Sequence, residues 1–383
     1  MRKKKILFIP STLSGGVYYY RVFTPMRKLT ELYPEEYEVT ICNTYNYTDE
    51  DKDKIGKTYD IVIFHQCLFV AKFQEEVWKT IVYCKKEYGT KFVLDIDDYW
   101  DYGKFHPMNN VCQFNCFPDK MMMNFKLFDA VSTTTEYFAN VIRQYNKNVV
   151  VFENAISLND KQFSTKKNES KRIRLGLTGG SSHTEDIKCL MGFWKHLTKR
   201  TLDKIDIVLC GYDNKNNEKI TLDENGKIVN RTKIDDKDNW WVQTENKIIA
   251  GVGKDHYKRI ETKSITKKEF GPVYQDIDIL LVPLKNTKFN NCKSELKIIE
   301  AGFTNTIPMC SKVIPYSNYG IDNEDCILVK DNTPEGWAKK ITKLVNDEAR
   351  MENIRAKCHD TQVNNRELDL ITKKRKEFFD SLV

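Results

Sequence analysis

The stretch from Lys293 to Glu300 (KSELKIIE) carries the densest chemistry in the chain. Read as the opening of a helix over 293–305, it sets Lys293, Lys297 and Glu300 at i, i+4 and i+7, on one face. A cation at a helix start opposes the helix dipole, so Lys293 implies an anion close by. A diphosphate fits, with Lys297 as a second cation and Ser294 in the same binding set. Glu300 would accept from the two hydroxyls of a ribose. Two glycine turns point the same way. Ser14-Gly15-Gly16 follows the apolar run KILFIP, and Thr178-Gly179-Gly180-Ser181-Ser182-His183 follows RIRLGL. Glycine lets the backbone approach a phosphate or sugar, and the free N–H groups of a following helix attract negative charge. His183 would donate to a phosphate or sugar oxygen. Neither turn is GxGxxG, and Cys42 closes the second strand where a dinucleotide site wants an acid.

Acidic residues end another strand-like run. KFVLDI leads into Asp97 and Asp98, and DIVIFH ends in His65. Two readings of the acids stay open. Asp95 and Asp97 form a DxD pair that holds a diphosphate through a divalent cation, or Asp97 and Asp98 bind and polarise an acceptor with no metal. His65 lines the same edge. Tyr20 and Arg21 open an aromatic, basic helix, with the ring a candidate platform for a sugar and the guanidinium for a phosphate. Cys112 and Cys116 with His106 have metal-like spacing, but no second Cys/His pair completes a finger.

Alternating strand and helix patterns position these groups. Residues 5–10, 38–42, 60–65, 91–96, 130–135 and 148–152 read as buried strands, with helices near 19–33, 70–87, 117–127 and 136–145. Residues 157–172 are polar and read as a linker. The rhythm restarts with strands at 172–178, 204–211, 257–263, 276–284, 306–311 and 325–330, and helices over 184–200, 266–275 and 293–305. Residues 212–250 read as a polar insertion, with ENGK (224–227) as a tight-hairpin signal. Thr333-Pro334-Glu335 starts a helical C-terminus with a break near 363–366. The class is α/β, with two Rossmann-like doubly wound domains facing a cleft.

Composition limits the partners. The 383 residues carry 61 Lys+Arg against 54 Asp+Glu, a net charge of +7, which permits phosphate contact without demanding nucleic acid. No apolar run approaches the roughly 20 residues of a membrane span. Eleven cysteines, an odd number in strand-like settings, read as reduced thiols of a cytoplasmic protein, with the Lys-rich start as a candidate touch-point for membrane phosphate.

These residues resemble the GT-B glycosyltransferases, in particular their large retaining group, family 4. The likeness spans nearly the whole chain. It rests on the Gly15-Gly16 turn, the opening LGLTGGSSHTEDI and the helix ELKIIEAGFTNTIPMCS. The segment from Tyr20 to Pro25 and the strand end DIDDYW are similar to bacterial and phage members. Glu300 takes the place of the second glutamate of that family's E-x7-E motif, which binds the ribose. Cys292 stands where the first would be. The resemblance implies an acceptor domain over 1–156 plus a C-terminal helix from about 368 to 383 crossing back to it. A donor domain over 173–367 would bind a UDP- or GDP-linked sugar. The acceptor would be a saccharide, lipid, protein or modified DNA base. In this reading fixed lysines and amide N–H groups replace a metal, so no cofactor is expected. The Cys292 departure favours a different class, a catalytically inactive GT-B protein with a binding role.

Overall fold

The structure is a computed structural model. It describes residues 2–383 apart from 44, 70, 105, 107, 165, 181, 182, 213–217 and 223–227. Two sheets, each of six parallel strands, carry the fold. The chain divides into two units. The first comprises Met1–Asp160, Asn286–Ile299 and Gln362–Val383, and the second Lys161–Lys285 and Glu300–Thr361.

The first sheet contains β1 (Lys4–Ile9), β2 (Tyr37–Ile41), β3 (Ile61–His65), β4 (Lys91–Asp95), β5 (Ala130–Thr133) and β6 (Val149–Val151) in the order β2-β1-β3-β4-β5-β6. Both faces are covered, which explains its continuous apolar runs. Ile6, Phe8, Ile61, Ile63 and Val93 enter one core cluster, while Leu7, Ile9, Val62, Phe64, Phe92 and Leu94 enter another. A helix over Asp49–Thr58, absent from the sequence reading, links β2 to β3. Thr48 opens it with a reciprocal cap to Asp51. The C-terminal break falls at Glu367, whose side chain caps the helix Leu368–Leu382. That helix buries Phe379 with Ile6 and Phe8, and Ile371 with Phe152.

The second unit's sheet contains β7 (Ile173–Thr178) and β8 (Ile205–Tyr212). A hairpin pair, β9 (Glu218–Leu222) and β10 (Ile228–Lys233), stands apart from it. The sheet continues with β11 (Tyr257–Glu261), β12 (Ile279–Val282), β13 (Ile307–Ser311) and β14 (Ile327–Val329). Its order is β11-β8-β7-β12-β13-β14, the dinucleotide-fold order when counted within the unit. The strands β9 and β10 are antiparallel, and the ENGK turn expected between them lies outside the described residues.

The helix expectations at 184–200 and 266–275, and the reading of the insertion, need correction. The helix expected over 184–200 is broken into short turns, because Gly192 takes a left-handed φ of 80° after an extended Met191. Only a short 3-10 turn, Gly271–Asp276, replaces the helix expected at 266–275. The insertion 212–250, read as polar with a hairpin, also holds a helix with an apolar face. Asn239 caps a helix, Trp240–Ile248, that sends Trp241 into the core at 1% exposure. No helix among the described residues is long and apolar enough to cross a membrane, and the eleven cysteines are all free thiols.

Candidate functional site

In an open parallel sheet, ligands settle beyond the carboxyl ends of the strands, where the strand order reverses. In the first unit that point lies between β1 and β3. Ser11 follows β1, His65 ends β3 and Asp97 follows β4. They form one chain: Ser11 Oγ lies 2.7 Å from His65 Nδ1, and His65 Nε2 lies 3.0 Å from Asp97 Oδ1. A carboxylate only accepts, so Nε2–H donates to Asp97 and fixes the ring. The imidazole side chain is 0% exposed, whereas Ser11 is exposed. Solvent meets this relay mainly at Ser11, with the Asp97 side chain 16% exposed at the other end.

Burial disfavours the imidazolium, yet the charge and hydrogen bond of Asp97, with Asp95 behind it, raise His65 above its ordinary 6.5 against the opposing charge of Arg21. Burial likewise works against ionised Asp97. The charge and hydrogen bond of His65, then Arg21 and Lys293, hold it down at about 2. The two shifts act in different pH windows. Stability from His65 is complete below pH 6.5 and is lost as pH rises through its raised native value, while that from Asp97 is present above 3.8 and is lost as pH falls towards 2. An NMR titration should place the His65 midpoint above 6.5, and Asp97→Asn should lower it. A midpoint unmoved by that substitution would sink the dyad.

Asp95 does not join a metal pair with Asp97. Arg21 binds it with two arms, Nη2 at 2.6 Å and Nε at 3.1 Å, and Ser132 Oγ donates to it at 2.6 Å. Arg21 spends another arm on the Phe152 carbonyl, at 2.6 Å. Both side chains are 1% exposed. The turn of π-helix Tyr18–Phe23 aims this guanidinium into the core, so the structure places Arg21 as a core cation and not as a surface phosphate ligand. Tyr20 is also core, 3% exposed and edge-on to Tyr19.

Lys293 is not on the helix. Thr287 caps a one-turn helix, Lys288–Asn291, the chain then turns, and the next helix begins at Leu296. The common face expected for Lys293, Lys297 and Glu300 therefore holds for the last two alone. Lys293 Nζ donates to Asp98 Oδ1 at 3.3 Å and lies over the Phe289 ring at 4.6 Å. Ser294 Oγ accepts from Asn154 Nδ2 at 3.0 Å. Cys292 is fully buried in the first unit's core, and burial pushes its thiol up to about 12.

The second unit's reversal lies between β7 and β12, and the glycine turn leaves β7 there. Gly179 N–H donates to the Cys210 carbonyl at 3.1 Å. Gly211 leaves room beneath: a Cβ on it would stand 2.3 Å from the Gly179 carbonyl oxygen. Gly180 differs, since a Cβ there would meet no described atom within 4 Å and its φ is not left-handed. Neither packing against the described residues nor conformation requires that glycine. Gly16 is similar, with only Tyr20 at 4.0 Å, whereas Gly15 takes a φ of +76°. His183 Nδ1–H donates to Asp186 Oδ2 at 3.1 Å, and no described residue partners its Nε2. Asp186 Oδ1 in turn accepts from Lys285 N at 2.9 Å, across the reversal. Ser181 and Ser182 lie outside the described residues. Glu300 is 2% exposed and accepts from the Tyr274 hydroxyl at 2.6 Å.

Sequence reasoning passed over Ser11, Asp186, Lys285 and Tyr274. Ser11 and Lys285 were open to the strand-end rule that found His65, whereas Asp186 and Tyr274 carry no such mark. No group of three or more metal-ligating side chains is found among the described residues.

Neither a scan of protein-family models nor a search of curated proteins found a match to this sequence. Solved structures do match along the full length. HepE of Anabaena, in complex with UDP and glucose, superposes with a TM-score of 0.62 at 11% identity, covering 99% of this chain and 100% of that one. A glycosyltransferase of Rickettsia africae gives 0.64 at 13% identity, covering 100% and 99%. The sucrose-phosphate synthase of Thermosynechococcus elongatus gives 0.68 at 11% identity, covering 99% of both chains. The chain has the GT-B fold.

Proposed function

We propose that the protein transfers a sugar from a nucleotide-diphosphate sugar to an acceptor hydroxyl. The observation that carries this reading is the β7/β12 reversal, where no described atom would crowd a side chain at Gly180 and Asp186 orients His183, a setting that suits a phosphate. The likeness to a UDP-bound HepE favours UDP as the carrier. Glu300 would take the ribose from its place beside Tyr274, where burial strengthens hydrogen bonds to a carboxylate.

Negative charge grows on the β-phosphate as the glycosidic bond breaks. Lys293 and Lys297 would hold it. With anomeric configuration retained, the departing phosphate oxygen takes the acceptor's proton, so no enzymic nucleophile is needed. Asp97 and Asp98 serve the acceptor, with Ser11 as the exposed end of the His65 relay. In this reading fixed cations carry the charge that a divalent ion would carry elsewhere, and the site is cytoplasmic. EDTA should leave the rate unchanged, and full dependence on Mg²⁺ or Mn²⁺ would end the metal-free reading.

The test is thermal stabilisation by UDP, which at a hundred times Kd amounts to about 2.7 kcal/mol. Glu300→Gln and Gly180→Ala should keep the ligand-free melt and lose most of the shift. Equal shifts in both variants, or no shift with any nucleotide sugar, would sink the assignment. The fully buried thiol of Cys292, in place of a carboxylate, favours a second reading in which UDP binds without turnover. Donor hydrolysis separates the two.

A further inference from the structure

A cavity of about 590 Å³ opens at the amino ends of β7, β8 and β12 in the second unit, the end of the sheet opposite the glycine turn. Six lysines and arginines line it against four carboxylates. The carboxylate beside its most buried cations is already taken. Asp278 accepts from Arg174 through the backbone N at 2.8 Å, Nε at 2.9 Å and Nη2 at 2.8 Å. Lys167 gives its protons to neutral groups, the Tyr274 and Ile277 carbonyls and Thr306 Oγ1, at 2.8, 2.5 and 2.6 Å. Its charge therefore has no contacting counter-ion among the described residues. Around these two stand Lys171, Lys204 and Arg355, on the segment before β7, before β8 and on the helix Glu348–Arg366.

The volume suits a small ligand, and walls so rich in cations suit an anion with several charged oxygens. We propose that this cavity binds a small phosphorylated anion, of the size of pyrophosphate or a hexose phosphate, as a regulatory ligand. The cavity lies at the end of the sheet opposite the glycine turn, and its occupant would hold the segment carrying Lys167 and Lys171 against Lys204 just before β8.

Lys167 supplies a distinctive readout. Burial lowers it to about 7, with Arg174 and Arg355 acting in the same direction and Asp278 and Asp276 against it. A bound anion would favour its ammonium, so binding near pH 7.5 takes up protons.

The experiment is calorimetry at pH 7.5 with UDP saturating, titrating inorganic pyrophosphate and, in a second arm, glucose 6-phosphate. Several buffers of different ionisation enthalpy are compared. Heat that varies with the buffer is expected for at least one anion. Lys171→Gln combined with Lys204→Gln should weaken binding on the order of tenfold or more, since hydrogen bonds to charged groups are worth about 1.5–3 kcal/mol. Both lysines are at the surface, and an unchanged melt confirms that the variant folds. No heat from either anion, heat independent of the buffer, or equal affinity in the variant would overturn the proposal.

Discussion

The Asp95→Ala variant is expected to lose about 3–5 kcal/mol of stability in the first unit, because removing one partner of a buried ion pair strands the other. Two guanidiniums would be stranded here. Arg21 loses both of its carboxylate contacts and keeps only the Phe152 carbonyl and Asn154. Arg375, 2% exposed, lies over the Phe152 ring at 4.5 Å, and its Nε has no hydrogen-bond partner among the described residues. Burial and the charge of Arg21 already lower Arg375 to about 9, and Asp95 is among the charges that resist this fall. The measurement is amide hydrogen exchange of β3 and β4, with denaturant midpoints beside it. A loss below about 1 kcal/mol would mean that the pair is solvated. Arg21→Met combined with Asp95→Leu should recover part of the loss, since an apolar pair of similar volume leaves no orphan charge.

The sheets were legible because both faces of every central strand are buried. A run such as KILFIP has no polar face to show, and only a parallel sheet covered on two sides asks for that. The missed helix Asp49–Thr58 is the opposite case. Only Ile55 among its ten residues is buried, so it has almost no apolar period, and its mark was the cap Thr48–Asp51. At 184–200 the acidic first turn and basic last turn imitated one continuous helix, but Gly192 in a left-handed conformation outweighed them.

The candidate site was legible as positions and not as partnerships. His65, Asp97 and the two glycine turns all sit at or just beyond the carboxyl end of a strand, and strand ends can be read from the apolar runs alone. Their contacts come from far along the chain: Ser11 and His65 are 54 residues apart, and Lys293 and Asp98 are 195 apart. No local pattern encodes such pairs. For the same reason Arg21 looked like a surface cation, because Asp95 lies 74 residues away and nothing near Arg21 announces the carboxylate that draws it inward.

Lys293→Ala is expected to lower kcat/KM for nucleotide-sugar turnover by on the order of 10²–10³-fold, about 2.7–4 kcal/mol, if its ammonium meets the charge on the leaving phosphate. The structure offers a rival account, in which Lys293 serves only Asp98. Magnitudes separate the two. The Lys293 and Asp98 side chains are 19% and 33% exposed and 3.3 Å apart, and a pair that open to solvent is worth about 1 kcal/mol at most. Loss of the pair alone then accounts for less than about tenfold, and Asp98→Asn should match it. A deficit well beyond that in Lys293→Ala, with the melting temperature held, requires an interaction made in the transition state. Lys293→Arg should recover part of it, because the cation persists with a different shape. A Lys293→Ala rate within tenfold of the parent would instead leave this lysine as the partner of Asp98 and shift the burden of the phosphate charge to Lys297.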